Sequence, residues 1–321
     1  MTPTPARIRA GLHGAEQRRP LYSRFPALYF VAHPWLKAAA RRVFAVRQGR
    51  TDTLVRAYLE RFDDLPAADG APVPLLLTHD IDTAAGYATL PRLLEAEESL
   101  GLASLSLVVT HRYRWDAGRL RTFTERGHRF GVHDTTHDNQ LAFLPPARVS
   151  DRIRLAQTAL GDLDTGTFRA PAFLRSAALY EGIAGRVRLD LSSIDSALLW
   201  PHPGDGTGTP FPVRHAGVVC APTTLPRDGE LIALGLSELA MLDLVSEKAE
   251  RLWRVGAPAV LLTHPDPGFT DTVDRIRAYA ELLHRLAKSG RFFPVAPEEC
   301  VERLAACVRI DVPDGETAGV A

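Results

Sequence analysis

Two short motifs carry the residue types that hold divalent metals: Thr78-His79-Asp80-Ile81-Asp82 and His133-Asp134-Thr135-Thr136-His137. A carboxylate with two imidazoles makes a three-donor set that leaves coordination positions open for water and substrate, the pattern of hydrolytic rather than structural metal sites. Histidines four apart face the same way from a helical turn, so the second motif is expected to present both imidazoles from one such turn. Further along, Phe168-Arg169-Ala170-Pro171-Ala172-Phe173 adds a guanidinium, and Leu261-Leu262-Thr263-His264-Pro265-Asp266 adds another imidazole.

Each motif follows a short apolar run. Strands are expected at 74–79, 103–110, 128–133, 165–169, 187–191, 218–221, 259–264 and 291–295. Apolar residues near a 3.6 period predict helices at 90–100, 116–126, 147–160, 176–183, 236–255 and 271–289. Gly101, Gly127, Gly256 and Gly290 stand where a helix hands over to the next strand. Repeated strand-then-helix order implies parallel strands, and about seven or eight such units predict a barrel with helices outside and its chemistry at the C-terminal strand ends. Asp80, His133, Arg169 and His264 all fall at such ends.

Composition narrows the function classes. The 321 residues are 45% hydrophobic with zero formal net charge, enough for a large core and without the basic excess of a nucleic-acid binder. Cys220, Cys300 and Cys307 form no CxxC pair, which suits a reducing compartment. With no apolar leader segment and no membrane-length apolar run, the expected location is cytoplasmic. Between residues 1 and 50 Glu16 is the only acid among many arginines, and the aromatic-rich 25–36 precedes a basic helix expected at 37–46. This segment reads as a basic arm packed on the main domain, with peripheral membrane contact as the alternative. The glycine-bearing 201–212 segment reads as an irregular loop, since Pro210 and Pro212 block a following helix. Phe173, Leu174, Trp200 and Phe211 are candidate pocket walls, with ordinary packing as the default reading.

Taken in order over residues 74–295, the four motifs resemble the polysaccharide deacetylase (NodB-homology) family of metal-dependent deacetylases. The resemblance implies an α/β fold, a distorted (β/α)7-8 barrel of the NodB-homology type over 71–311; the arm 1–70 lies outside the resemblance as an N-terminal extension, and the Pro/Gly-rich 312–321 reads as a flexible tail. It implies that Asp80 is the catalytic base, that Asp82, His133 and His137 hold one divalent ion, that Arg169 orients Asp80, and that His264 is the general acid. Zinc is the expected ion, with cobalt, nickel or manganese as alternatives, because one carboxylate and two imidazoles do not discriminate among them. Asp190 and Asp195 are both candidates for the acid that supports His264. Asp134, where the family has Ser or Thr, is either a partner that fixes an imidazole tautomer or a turn cap. His79, His128 and His202 are expected to be structural or rim residues. The implied reaction is hydrolysis of an acetamido group on a small or lipid-linked substrate, such as an N-acetyl sugar, with a backbone N–H near Phe173 helping to hold the oxyanion. The alternatives are hydrolysis of another carbon–nitrogen bond (formamide, ureide or cyclic imide) and a catalytically silent carbohydrate-binding barrel.

Overall fold

The computed structural model describes residues 3–14, 51–199 and 206–313, with positions 39 and 43. The aromatic stretch at 25–36, nearly all of the helix expected at 37–46, Trp200, His202 and the end of the tail lie outside the described residues.

All eight expected strands form. They are β1 (Val73–Ile81), β2 (Leu105–Val108), β3 (Arg129–Val132), β4 (Asp164–Phe168), β5 (Leu189–Asp190), β7 (Val218–Cys220), β8 (Ala259–Thr263) and β9 (Phe292–Pro294). Two more, β6 (Val213–His215) and β10 (Ile310–Val312), are three residues long, too short for alternation to register in the sequence. The strand order is β10-β6-β7-β5-β4-β3-β2-β1-β8, with β9 also on β1. Only the β6–β7 pairing among the described residues is antiparallel. Beyond β7, Thr224 and Leu225 donate their N–H groups to Val260 O at 3.2 and 3.1 Å, and Val260 N donates to Thr224 Oγ1 at 2.8 Å. The chain leaving β7 thus reaches β8, and the sheet curls into a distorted barrel.

Ten helices are described: α1 (Pro5–His13), α2 (Thr51–Leu59), α3 (Ala84–Glu98), α4 (Ala117–Thr124), α5 (Pro146–Leu160), α6 (Ala177–Ile183), α7 (Asp228–Leu234), α8 (Glu238–Val255), α9 (Val273–Lys288) and α10 (Cys300–Ala305). The six expected from periodicity are α3 to α6, α8 and α9. In α9 the buried Ile276, Tyr279, Leu282, Leu283 and Leu286 form one stripe at three- and four-residue spacing. Burying an aliphatic side chain of that kind stabilises the fold by about 1.5–3 kcal/mol. Helix α3 starts at Ala84, earlier than expected, because Thr83 Oγ1 caps it by accepting from Gly86 N at 3.2 Å; Pro91 lies inside rather than near its start. Gly101, Gly127, Gly256 and Gly290 all take positive φ, as helix-ending glycines do.

Register places the site. Ile81 is level with Val108, Val108 with Val132, and Val132 with Phe168, so Asp82, His133 and Arg169 leave their strands at one height. Side chains alternate along β1: Thr78 and Asp80 share one face, and His79 takes the other. There His79 bonds Thr263 Oγ1 at 2.7 Å and Glu97 Oε1 at 2.8 Å, and His128 bonds Ser104 Oγ at 3.2 Å, so both histidines are structural. The close β3–β4 approach needs a glycine. A Cβ at Gly131 would stand 2.0 Å from Thr167 Oγ1 and 2.7 Å from Thr167 O, so Gly131→Ala is expected to destabilise the fold by about 1–3 kcal/mol, read by denaturant unfolding.

Candidate metal centre and active site

Asp82 follows β1 directly, and its position is fixed from behind by Asp266. The Asp266 carboxylate accepts from Asp82 N at 3.0 Å and from Thr83 Oγ1, under a glycine, Gly86, whose Cβ would lie 2.5 Å from Asp266 Cγ. Asp82 Oδ1 then lies 3.3 Å from His133 Nε2 and 3.3 Å from His137 Nε2. One donor atom from each of the three residues falls within 4.8 Å of the others, and all three residues are buried. Asp82 Oδ1 is buried with no hydrogen-bond donor directed at it. His133 Nδ1 donates to Arg169 O at 2.7 Å, because a carbonyl only accepts; this leaves Nε2, 3.3 Å from Asp82 Oδ1, as the nitrogen that would bind a cation once the ring is neutral. An orphaned carboxylate oxygen beside such a nitrogen suits a divalent cation.

The HxxxH spacing does not arise from a helical turn, contrary to expectation. Residues 133–140 form an irregular loop in which Asp134, His137 and Asn139 take positive φ of 69°, 53° and 59°. Arg152 of α5 holds that loop: its Nε donates to Asp134 Oδ1 at 3.0 Å, its Nη1 to Asp138 Oδ2 at 3.0 Å and its Nη2 to Thr136 Oγ1 at 2.9 Å. Asp134 is therefore not the partner that sets an imidazole tautomer. Its carboxylate caps Thr135 N at 2.6 Å and pairs with Arg152, while the Arg169 carbonyl fixes His133. Burial pushes the Asp134 carboxyl up even with Arg152 beside it. Arg152→Ala leaves that buried carboxylate unpaired, and the expected loss is about 3–5 kcal/mol of stability together with weakened metal binding. Denaturant unfolding and a metal titration measure the two effects.

Asp80 stands between a guanidinium and the third imidazole. Arg169, fully buried, donates from Nη1 to Asp80 Oδ1 at 2.7 Å, from Nη2 to Thr78 Oγ1 at 2.9 Å and from Nε to Leu191 O at 3.0 Å. Burial works against the Asp80 charge, but Arg169, His133 and His264 outweigh it and hold the carboxyl below its ordinary range. Asp80 Oδ2 lies 3.7 Å from His133 Nε2 and 3.9 Å from His264 Nε2.

His264 is oriented by Asp228, which neither motif nor spacing singles out. Asp228 Oδ1 lies 2.8 Å from His264 Nδ1, and Oδ2 accepts from His264 N at 2.7 Å and from Thr270 Oγ1 at 3.2 Å. Burial alone would lower the pKa of His264. The attraction and hydrogen bond of Asp228, with Asp82 and Asp80 nearby, overcome it and push the value up to about 9. The two acids expected to support His264 do other work: Asp190 Oδ2 accepts from Tyr180 Oη at 2.9 Å and Oδ1 from Ser192 N at 3.0 Å, and Asp195 pairs with Lys248 at 2.9 Å. Asp266, two residues after His264 in the same motif, takes a positioning role that nothing in the sequence assigned to it.

After Arg169 the chain makes a tight turn, Pro171–Phe173, with Ala172 and Phe173 at positive φ of 52° and 55°. Phe173 and Leu174 donate within the turn, to Ala170 O and Pro171 O. Among the described residues none accepts from Ala172 N–H.

No protein-family model matches the sequence, and no curated protein matches it either. Solved structures do match. A Mycobacterium smegmatis protein assigned as a polysaccharide deacetylase superposes with a TM-score of 0.54 at 15% identity, over 79% of this chain and 99% of its own. The fold is that of the polysaccharide deacetylases. Puue allantoinase shares it, with a TM-score of 0.57 at 11% identity over 76% of this chain and 95% of its own. A family 4 carbohydrate esterase from Streptomyces lividans also matches, with a TM-score of 0.44 at 17% identity over 70% and 91% of the two chains. On this polysaccharide-deacetylase barrel, the six residues singled out from sequence, Asp80, Asp82, His133, His137, Arg169 and His264, converge at one end.

Proposed function

We propose that the protein is a metal-dependent deacetylase that hydrolyses an acetamido group to an amine and acetate. The observation that carries this is the placement of Asp80 between the fully buried Arg169 and His264 Nε2, directly beside the Asp82, His133 and His137 donor set. Those three residues would hold the ion. When bound, it supplies Lewis-acid activation of water and of the acyl carbonyl.

The remaining steps belong to the side chains. Asp80, kept ionised by Arg169, takes the proton of the attacking water. Ala172 N–H is the backbone donor for the developing oxyanion. His264, whose protonated form is held by Asp228, gives its proton to the departing amine. The substrate class is an N-acetyl sugar or a related small or lipid-linked acetylated metabolite, and zinc is the ion proposed first.

The test is metal analysis of the purified protein, followed by acetate release from a panel of N-acetyl sugars and acetylated small metabolites, with allantoin included, before and after chelation. Chelator-sensitive acetate release is the expected outcome. Activity untouched by metal removal would sink the proposal, and turnover of allantoin alone would move it to ureide hydrolysis.

A further inference from the structure

Helix α1 touches the candidate active site through one side chain. Arg175 follows the Pro171–Phe173 turn and is 3% exposed. Its Nη1 donates to Phe173 O at 2.9 Å and to Ser192 O at 2.9 Å, while Nε and Nη2 donate to Gly11 O at 3.2 and 3.0 Å. Gly11 lies in the last turn of α1, where its carbonyl receives only a long 3.4 Å bond from the capping Gly14 N–H and the helix dipole places partial negative charge. A guanidinium satisfies both conditions, and its planar fork fixes several acceptors at once.

The turn needs such a hold. Two consecutive non-glycine residues in the left-handed region cost on the order of 1–2 kcal/mol each and persist only when their surroundings determine them. Ser192 Oγ accepts from Ala170 N at 2.7 Å on one flank, and Arg175 grips Phe173 O on the other. The far anchor is rigid: Ile8 and Leu12 of α1 are fully buried, and a Cβ on Gly11 would lie 2.4 Å from Gly206 O.

We propose that Arg175 is a positioning residue and that α1 is part of the active-site scaffold: the Gly11 carbonyl anchors Arg175, which holds the strained turn and so aims Ala172 N–H. The N-terminal segment thus takes part in the chemistry of the barrel without touching substrate. Losing the anchor misplaces the donor, and a misplacement of about 1 Å costs on the order of a hundredfold in rate.

The test compares Arg175→Lys, which keeps the charge but loses the fork, with Gly11→Ala, which drives α1 off Gly206; Arg9→Ala, on the same helix, is the control. Amide hydrogen exchange over residues 170–176 is the first measurement, and it does not depend on activity. Both test variants are expected to exchange at least about tenfold faster there than the wild type and the control, at unchanged metal stoichiometry. The second measurement rests on the deacetylase proposal: on any panel compound the wild type hydrolyses, kcat falls about ten- to a hundredfold while KM stays within about twofold. If Arg175→Lys does not fold, Gly11→Ala carries the test. Wild-type exchange in a folded test variant overturns the proposal, as does a loss confined to KM. A wild type that hydrolyses no panel compound overturns the deacetylase proposal instead, and the exchange result still decides this one.

Discussion

Asp80→Asn is expected to retain its metal and lose about 10²–10⁴-fold in turnover, the range general-base catalysis supplies, whereas His137→Ala loses the ion itself. The asparagine amide keeps an oxygen for Arg169 Nη1, 2.7 Å away, and Arg169 keeps its bonds to Thr78 Oγ1 and Leu191 O. The local geometry therefore survives while the group that accepts a proton is gone. His137 instead supplies one of the three donors clustered within 4.8 Å, and truncating it leaves two. Metal stoichiometry by elemental analysis, measured beside acetate release, separates the cases. Loss of the ion from Asp80→Asn would move Asp80 into the donor set, and its retention by His137→Ala would remove His137 from that set.

The chemistry-bearing residues were legible because strand ends are legible. An apolar run terminated by a polar motif marks a strand and what stands at its mouth, and Asp80, His133, Arg169 and His264 were found that way. Their supports were not legible, because a partner supplied by another element has no fixed spacing. Asp228 lies 36 positions before His264 and meets it only because residues 224 and 225 pair with β8 and start α7 beside that strand's end. Arg152 and Arg175 escaped notice for the same reason. The error over the HxxxH loop was of another kind. Its four-residue spacing mimics a helical turn, yet Asp134, Asp138 and Asn139 are turn formers, and Asp and Asn tolerate the left-handed region that Asp134 and Asn139 occupy. Weighing that composition against the spacing would have favoured a loop.

Asp228→Asn is expected to move the alkaline limb of the pH–rate profile downward. A general acid works only while protonated, so activity falls as pH rises through the His264 pKa, pushed up to about 9 with no cation present. A bound dication repels the imidazolium and sets the wild-type limb at or below that value. Among the influences that raise it, Asp228 is the largest. Removing its charge leaves burial, which favours the neutral ring, opposed only by the Asp82 and Asp80 carboxylates, and the limb drops toward the ordinary imidazole value of about 6.5. The acid limb, set by an Asp80 carboxyl held low by Arg169, stays where it was. The rate deficit is therefore widest between the two alkaline limbs, about a hundredfold or more. It narrows as pH falls and both enzymes protonate His264. A residual deficit at low pH measures orientation alone, since an amide can turn its NH₂ toward Nδ1 and impose the wrong tautomer. Profiles of kcat/KM from pH 5 to 10 decide the matter: an unshifted alkaline limb in a folded, metal-loaded Asp228→Asn would remove His264 from the role of acid.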